Sequence, residues 1–202
     1  MENKKKKINE KDLMKEIQML KVEIKLQKKK NKKLKRLSRI DFETRLYNRR
    51  AFFQFLKNAC KEMGVDINRR ILKPRYCLVL FDIDNFKAIN DNFGHPFGDK
   101  ILKEVARFFK SSIRDIDILA RLGGDEFGIL FKDVDLNQAR TILETILEKS
   151  KNRLIVKFSV GIIDISENKK YFPKKVFKKA DDALLKAKKQ GKDQIVIHNR
   201  ND

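Results

Sequence analysis

The stretch Arg121-Leu-Gly-Gly-Asp-Glu-Phe-Gly-Ile-Leu-Phe131 constrains the fold more than any other. Two glycines between short apolar runs predict a β-hairpin, because both central residues of a type I′ turn need φ > 0 and glycine supplies that at no steric cost. Asp125 and Glu126 then fall on or beside the turn. The bare backbone of Gly123 and Gly124 would let a planar or phosphorylated ligand come close, and the neighbouring acids suit a hard cation. Alone, the pattern also fits a solvated hairpin tip. A site there requires other parts of the chain to converge on it.

The remaining elements follow from apolar spacing. Tyr76-Cys-Leu-Val-Leu-Phe-Asp-Ile-Asp84 is a continuous apolar run of strand length ending in acids, which predicts a buried central strand. Ala51 to Met63, Asn85 to Asn92, Lys100 to Ser111, Asp135 to Ser150 and Pro173 to Lys189 have helical spacing. Asp115 to Leu122 and Phe127 to Phe131 form the hairpin arms, Leu154 to Ile165 is a strand with Gly161 as a place to kink, and Gln194 to His198 is a last short strand. Gly94 to Gly98 interrupts the helices, and Gly64 to Pro74 is a polar, basic connector.

From Tyr76 onward this order predicts an α+β fold with a ferredoxin-like core and additions: a central antiparallel sheet flanked by helices. In that topology the first and third strands are neighbours about 4.8 Å apart, so Asp82 should lie beside the Asp125 turn. Two carboxylates meeting there repel unless a cation bridges them.

The amino-terminal region reads differently. Residues 1–40 hold 16 basic and 5 acidic residues, net +11 of the chain's +21. Leu13, Ile17, Leu20 and Ile24 recur at heptad spacing, and the frame continues through Gln27, Asn31 and Leu34. A basic coiled-coil helix over 1–40 preceding a domain over 41–202 is expected. A lone amphipathic helix is the alternative, and an anionic surface is a third use of the charge. Without aromatic interleaving, no specific nucleic-acid binding is expected. No stretch of about 18 apolar residues occurs and Cys60 and Cys77 lack metal spacing, so the expectation is a reduced, cytoplasmic protein with no indicated membrane association.

Six motifs, in order and with the right gaps, carry a family resemblance. They are Asp41…Thr44…Leu46-Tyr-Asn-Arg-Arg50, Phe81-Asp-Ile-Asp-Asn-Phe-Lys87, Asn90 to Asp99, Arg121 to Phe127, Phe158-Ser-Val-Gly161 and Ala180 to Lys192. Together they resemble the GGDEF-family diguanylate cyclases, a nucleotidyl-cyclase-type fold, over roughly Asp41 to His198. The resemblance implies condensation of two GTP into cyclic di-GMP with release of pyrophosphate by a homodimer. It implies Mg²⁺, or Mn²⁺ in its place, on Asp82, the carbonyl of Ile83, Asp125 and Glu126, with Asp125 also accepting a proton. By the same resemblance Lys87, Lys188 and Lys192 contact phosphates, Lys87 within the catalytic set, Asn90 and Asp99 read guanine, and Gly123 and Gly124 receive the substrate. Arg114 and Asp117 sit at the offset of an inhibitory product site. A weakly catalytic cyclic di-GMP receptor is the alternative implied.

The chain departs from the family's pattern at Glu43 for leucine, Arg45 for glycine, Leu185 for tyrosine and Asp193 for asparagine. None is an expected ligand.

Overall fold

A computed structural model describes residues 10–37, 39–64, 74–165 and 172–198; most of the connector expected at Gly64 to Pro74 lies outside the described residues. The chain divides between Arg39 and Ile40. On the amino-terminal side is helix α1 (Glu10–Leu37). Its heptad residues Leu13, Ile17, Leu20 and Ile24 are all exposed in the single chain. Among the described residues no helix is long and apolar enough to cross a membrane.

The second unit contains β1 (Tyr47–Asn48), α2 (Arg49–Gly64), β2 (Tyr76–Ile83), α3 (Phe86–Phe93), α4 (His95–Ser112), β3 (Ile118–Gly123), β4 (Glu126–Lys132), α5 (Leu136–Lys151), β5 (Phe158–Asp164), α6 (Pro173–Lys189) and β6 (Ile195–Ile197). The strands form one sheet in the order β1-β3-β4-β2-β5-β6. Its inner four, β3-β4-β2-β5, pair antiparallel with each neighbour and have the expected ferredoxin-like order. The edge strands β1 and β6 add in parallel.

Strand β2 is buried at every position, as its unbroken apolar run requires. Successive side chains alternate between two layers. Cys77, Val79, Phe81 and Ile83 belong to a core with Ile101, Val105 and Phe109 of α4 and Leu143 and Ile146 of α5. Leu78 and Leu80 join Phe52 and Leu56 of α2 and Val176, Ala180 and Leu184 of α6. By this parity Asp82 belongs to the α2/α6 face.

Three local expectations need correction, and one short strand is added. The turn is displaced: Gly123 pairs with Glu126, a bulge lies between Arg121 and Gly123, and the two turn residues are Gly124 and Asp125. Gly124 has φ +53, but Asp125 does not take positive φ, so this is not the type I′ turn expected. Helix α4 begins at His95 rather than Lys100, because Pro96 in its first turn needs no backbone donor there. The Tyr47–Asn48 strand was not anticipated, since two residues are too short for a periodic pattern. Finally, β5 pairs with β2 straight through Gly161. A Cβ on Gly161 would lie 2.3 Å from the Ala180 carbonyl oxygen and 2.4 Å from the Leu184 nitrogen, so glycine serves the close approach of α6 and introduces no kink.

Two sequence features are resolved in detail. Asp135 caps α5 reciprocally: its carboxylate accepts the Gln138 amide N–H and the Gln138 side chain accepts the Asp135 N–H, both at 2.9 Å. Arg45, where the family prefers glycine, has φ +61 and its guanidinium lies over the Phe42 ring. The left-handed backbone gives the preference its physical reason, since a side chain there is disfavoured.

Candidate active site

Antiparallel pairing brings the acidic ends of the central strands together. Asp82 is directly opposite Glu126 on β4 and opposite Ser159 on β5. Just beyond that pair, the Ile83 N–H donates to the Asp125 carbonyl at 3.3 Å, fastening the end of β2 to the turn. Three of the expected metal-binding positions are therefore held by backbone pairing, and Asp125 joins them through the turn. The turn is braced from the other side by Arg121, whose Nε donates to the Gly124 carbonyl at 2.8 Å and whose Nη1 reaches Asp41 at 3.3 Å. Burial works against the Asp41 carboxylate. Bonds from the Thr44 hydroxyl and amide, with the Arg121 charge, outweigh it and hold Asp41 below its usual range.

The electrostatics of this corner are unbalanced. Asp82 is buried, and its pKa is pushed up to about 6, first by burial and then by the charges of Asp125 and Glu126. The Lys188 ammonium opposes that rise from 2.8 Å away. Lys188 reaches it from the last turn of α6, on the face to which strand parity assigns Asp82. Glu126 is half exposed, with the Arg49 guanidinium 3.9 Å away. That guanidinium also lies over the rings of Phe53 and Phe177. A cavity of about 310 Å³ opens beside it, with Glu126, Asp181 and Leu184 in its wall.

Among the described residues no three or more His, Cys, Asp or Glu side chains gather into a metal site. The expected set, the carboxylates of Asp82, Asp125 and Glu126 with the Ile83 carbonyl, is therefore not gathered in advance; Asp125 is tied to β2 through its backbone carbonyl. It is nonetheless suited to magnesium: the donors are hard oxygens, burial and the charges of Asp125 and Glu126 raise Asp82, and an ammonium already lies against it. A Cβ added to Gly123 or Gly124 would meet nothing within 4 Å, so the turn backbone borders open space.

The other expected residues lie nearby in the fold but not all at this corner. Lys87 is exposed on the first turn of α3, and Asn90 and Asp99 are half-buried on α3 and α4. Asn90 packs so closely on Gly98 that a Cβ there would meet its Oδ1 at 1.9 Å, which sets Asn90 beside the residue preceding Asp99 at the α3/α4 junction. The Lys192 ammonium donates to Asn85 Oδ1 at 2.6 Å, on the residue preceding α3. Asp84 does not cap α3: Asn85 occupies the cap position, and the Asp84 carboxylate binds Ser159 and Asp193 instead.

Arg114 and Asp117 form a separate network at the other end of β3. Asp117 accepts from Arg114 Nε at 3.0 Å, Arg114 Nη2 at 2.9 Å and the Arg114 and Lys132 amides at 3.2 Å each. The Arg114 side chain remains about half exposed while that of Asp117 is 1% exposed.

Sequence reasoning missed Arg49 and Ser159. Arg49 had a signal in its position within the Asn-Arg-Arg motif, whereas Ser159 meets Asp84 across 75 residues of chain and had only its motif place.

The family model described as "Diguanylate cyclase, GGDEF domain" matches residues 38–194. The chain is 35% identical over 176 residues to the probable diguanylate cyclase DgcT of Escherichia coli (strain K12), a match covering 82% of this chain and 37% of that protein. It therefore spans little more than a third of that relative. The fold is similar to the GGDEF domain of DgcB from Caulobacter crescentus in complex with c-di-GMP, with a TM-score of 0.71 and 28% identity over 80% of this chain and 96% of that one. The coiled coil and GGDEF domain of the same DgcB, also in complex with c-di-GMP, gives a TM-score of 0.71 and 25% identity, covering 92% of this chain and 98% of that one.

Proposed function

The chain belongs to the diguanylate cyclase GGDEF-domain family, and from that premise we propose that it condenses two GTP into cyclic di-GMP and two pyrophosphates as a homodimer. The observation that carries this reading is the corner where Asp82 faces Glu126 and the Ile83 amide holds the Asp125 turn. Three carboxylates, one of them a raised acid, against one ammonium and one guanidinium are short of positive charge, and they adjoin glycines that leave room for a nucleotide.

Each side chain has a distinct task in this mechanism. Asn90 and Asp99 bind the guanine edge, an amide that donates and accepts beside a carboxylate that takes the N1 and N2 hydrogens. Lys87, Lys188 and Lys192 bind phosphate oxygens as point charges. Asp82, the Ile83 carbonyl, Asp125 and Glu126 would hold magnesium, which would supply Lewis-acid polarisation of the α-phosphate and screening of the leaving pyrophosphate. Asp125 accepts the proton of the attacking 3′-hydroxyl at its carboxylate.

One domain binds one GTP, so both phosphodiester bonds require two loaded domains facing each other. The exposed heptad stripe of α1 supports pairing of two chains, which raises the effective concentration of one site for the other. Product feedback is assigned to Arg114 and Asp117. The fork to Asp117 fixes the half-exposed guanidinium in place, where it can stack on and donate to guanine. That same preformed fork favours a cyclic di-GMP receptor as the second reading.

Purified protein incubated with GTP and Mg²⁺ tests the proposal through formation of the cyclic dinucleotide. A folded, dimeric sample that makes none refutes the cyclase reading, and tight product binding in that sample establishes the receptor.

A further inference from the structure

Three carboxylates are buried among the described residues: Asp82, Asp84 and Asp117. The cyclase mechanism uses the first and product feedback the third. Asp84 has no assigned role, yet it joins three separate segments. Its Oδ1 accepts the Ser159 hydroxyl at 2.7 Å, its Oδ2 accepts the Asp193 N–H at 3.0 Å, and its own N–H donates to the Lys157 carbonyl at 2.9 Å.

Asp193 ends an unusual run. Gly191, Lys192 and Asp193 have φ of 111°, 65° and 47°, three consecutive positive values of which only the first falls on glycine. A left-handed backbone is disfavoured at a residue with a Cβ, which crowds the following carbonyl. The run persists because it is tied at several points. The Lys192 N–H donates to the Ala187 carbonyl at 3.1 Å, the Lys157 ammonium is 2.7 Å from Asp193 Oδ2, and the Asp193 N–H ends on Asp84. Of these, Asp84 alone belongs to the segment that leaves β2 two residues after Asp82.

The side chain carried by this run is Lys192. Its ammonium is 2.6 Å from Asn85 Oδ1, and Asn85, the residue after Asp84, is itself left-handed at φ 60°. Two strained residues on different loops thus meet, and the Asp84 carboxylate fastens one loop to the other.

We infer that Asp84 is a positioning residue for the nucleotide. Without touching GTP or metal, it fixes the Lys192 loop against the end of β2, so that one triphosphate can meet Lys192 and the acidic corner together. This rests on the GTP reading above. It assigns Asp84 to substrate affinity through Lys192, where a purely architectural carboxylate would affect folding alone.

The test is calorimetric binding of the non-cleavable α,β-methylene analogue of GTP, with Mg²⁺, to the full chain, to Asp84→Asn, to Lys192→Ala and to the double variant. Each single substitution is expected to weaken binding about tenfold, and the double variant should bind no more weakly than Lys192→Ala alone. In turnover assays Asp84→Asn should raise KM by a similar factor and leave kcat within about threefold. Multiplying effects in the double variant, unchanged affinity in Asp84→Asn, or a fall in kcat at constant KM would overturn the inference. If Asp84→Asn does not fold, Ser159→Ala takes its place, removing one of the two side-chain bonds. It should weaken binding about threefold in the wild-type background and not at all beside Lys192→Ala; any other result overturns the inference. A wild-type chain that binds no analogue refutes the nucleotide reading itself, whereas wild-type binding with indifferent variants refutes only the role of Asp84.

Discussion

Strand β3 has a carboxylate at each end, and the two are treated in opposite ways. At its start, Asp117 is enclosed by four donors from Arg114 and Lys132, and everything its charge requires comes from within the chain. Past its other end, burial and the charges of Asp125 and Glu126 raise Asp82 to about 6, against one ammonium on Asp82 and one guanidinium 3.9 Å from Glu126. Buried charge is tolerable only when compensated. One corner is complete as folded, while the other has an electrostatic need suited to a substrate and its cation. Acidic residues alone do not mark the site; the shortage of partners does.

The contrast can be broken most directly at Asp125. Asp125→Ala should lower cyclic di-GMP formation at least about a thousandfold, roughly 4 kcal/mol of transition-state stabilisation, with the melting temperature nearly unchanged. Initial rates and thermal melts of the same preparations check this, and preserved turnover would remove Asp125 from the chemistry.

Asp117→Ala should do the reverse. It strands the Lys132 amide and an arginine already bonded to the Lys132 carbonyl, so denaturant unfolding should show a loss of about 2 kcal/mol. Turnover per folded molecule should persist while inhibition by added product disappears. Unchanged stability would mean that the two corners are not opposites after all.

The smallest effect sharpens the comparison through pH. An acid whose native pKa lies above its unfolded value keeps its proton to higher pH in the native state, so stability declines as pH rises between the two values. For Asp82 the decline runs from near the ordinary 3.8 up to about 6 and is complete above that. Asp82→Asn should therefore stabilise the metal-free protein by about 1 kcal/mol at pH 8, and the gain should fade as pH drops toward 4. Unfolding midpoints measured in chelator across that range decide it; a gain independent of pH would relocate the strain elsewhere.

The strand order and the meeting of Asp82 with the turn were legible because the unbroken run of β2 and the glycine-separated arms of the hairpin leave few topologies. The register of the turn was not. A bulge before Gly123 moved it by one residue, and only pairing with β4 reveals that. Asp84 illustrates the same limit: its side-chain partners are 75 and 109 residues away. The placement of Lys188 on Asp82 likewise depends on α6 crossing the sheet, which local spacing does not encode. The lysine and guanine contacts came from family resemblance, because in so basic a chain no local pattern distinguishes one lysine from another.

At Gly161 the backbones of β5 and α6 nearly touch, and that glycine acts as a spacer of zero thickness. An alanine there would pry the helix off the strand, and the displacement would travel along a stiff rod to Lys188 in its final turn. The reach of a single ammonium into the acidic corner is thus gauged by a methyl group that is missing from another part of the sheet.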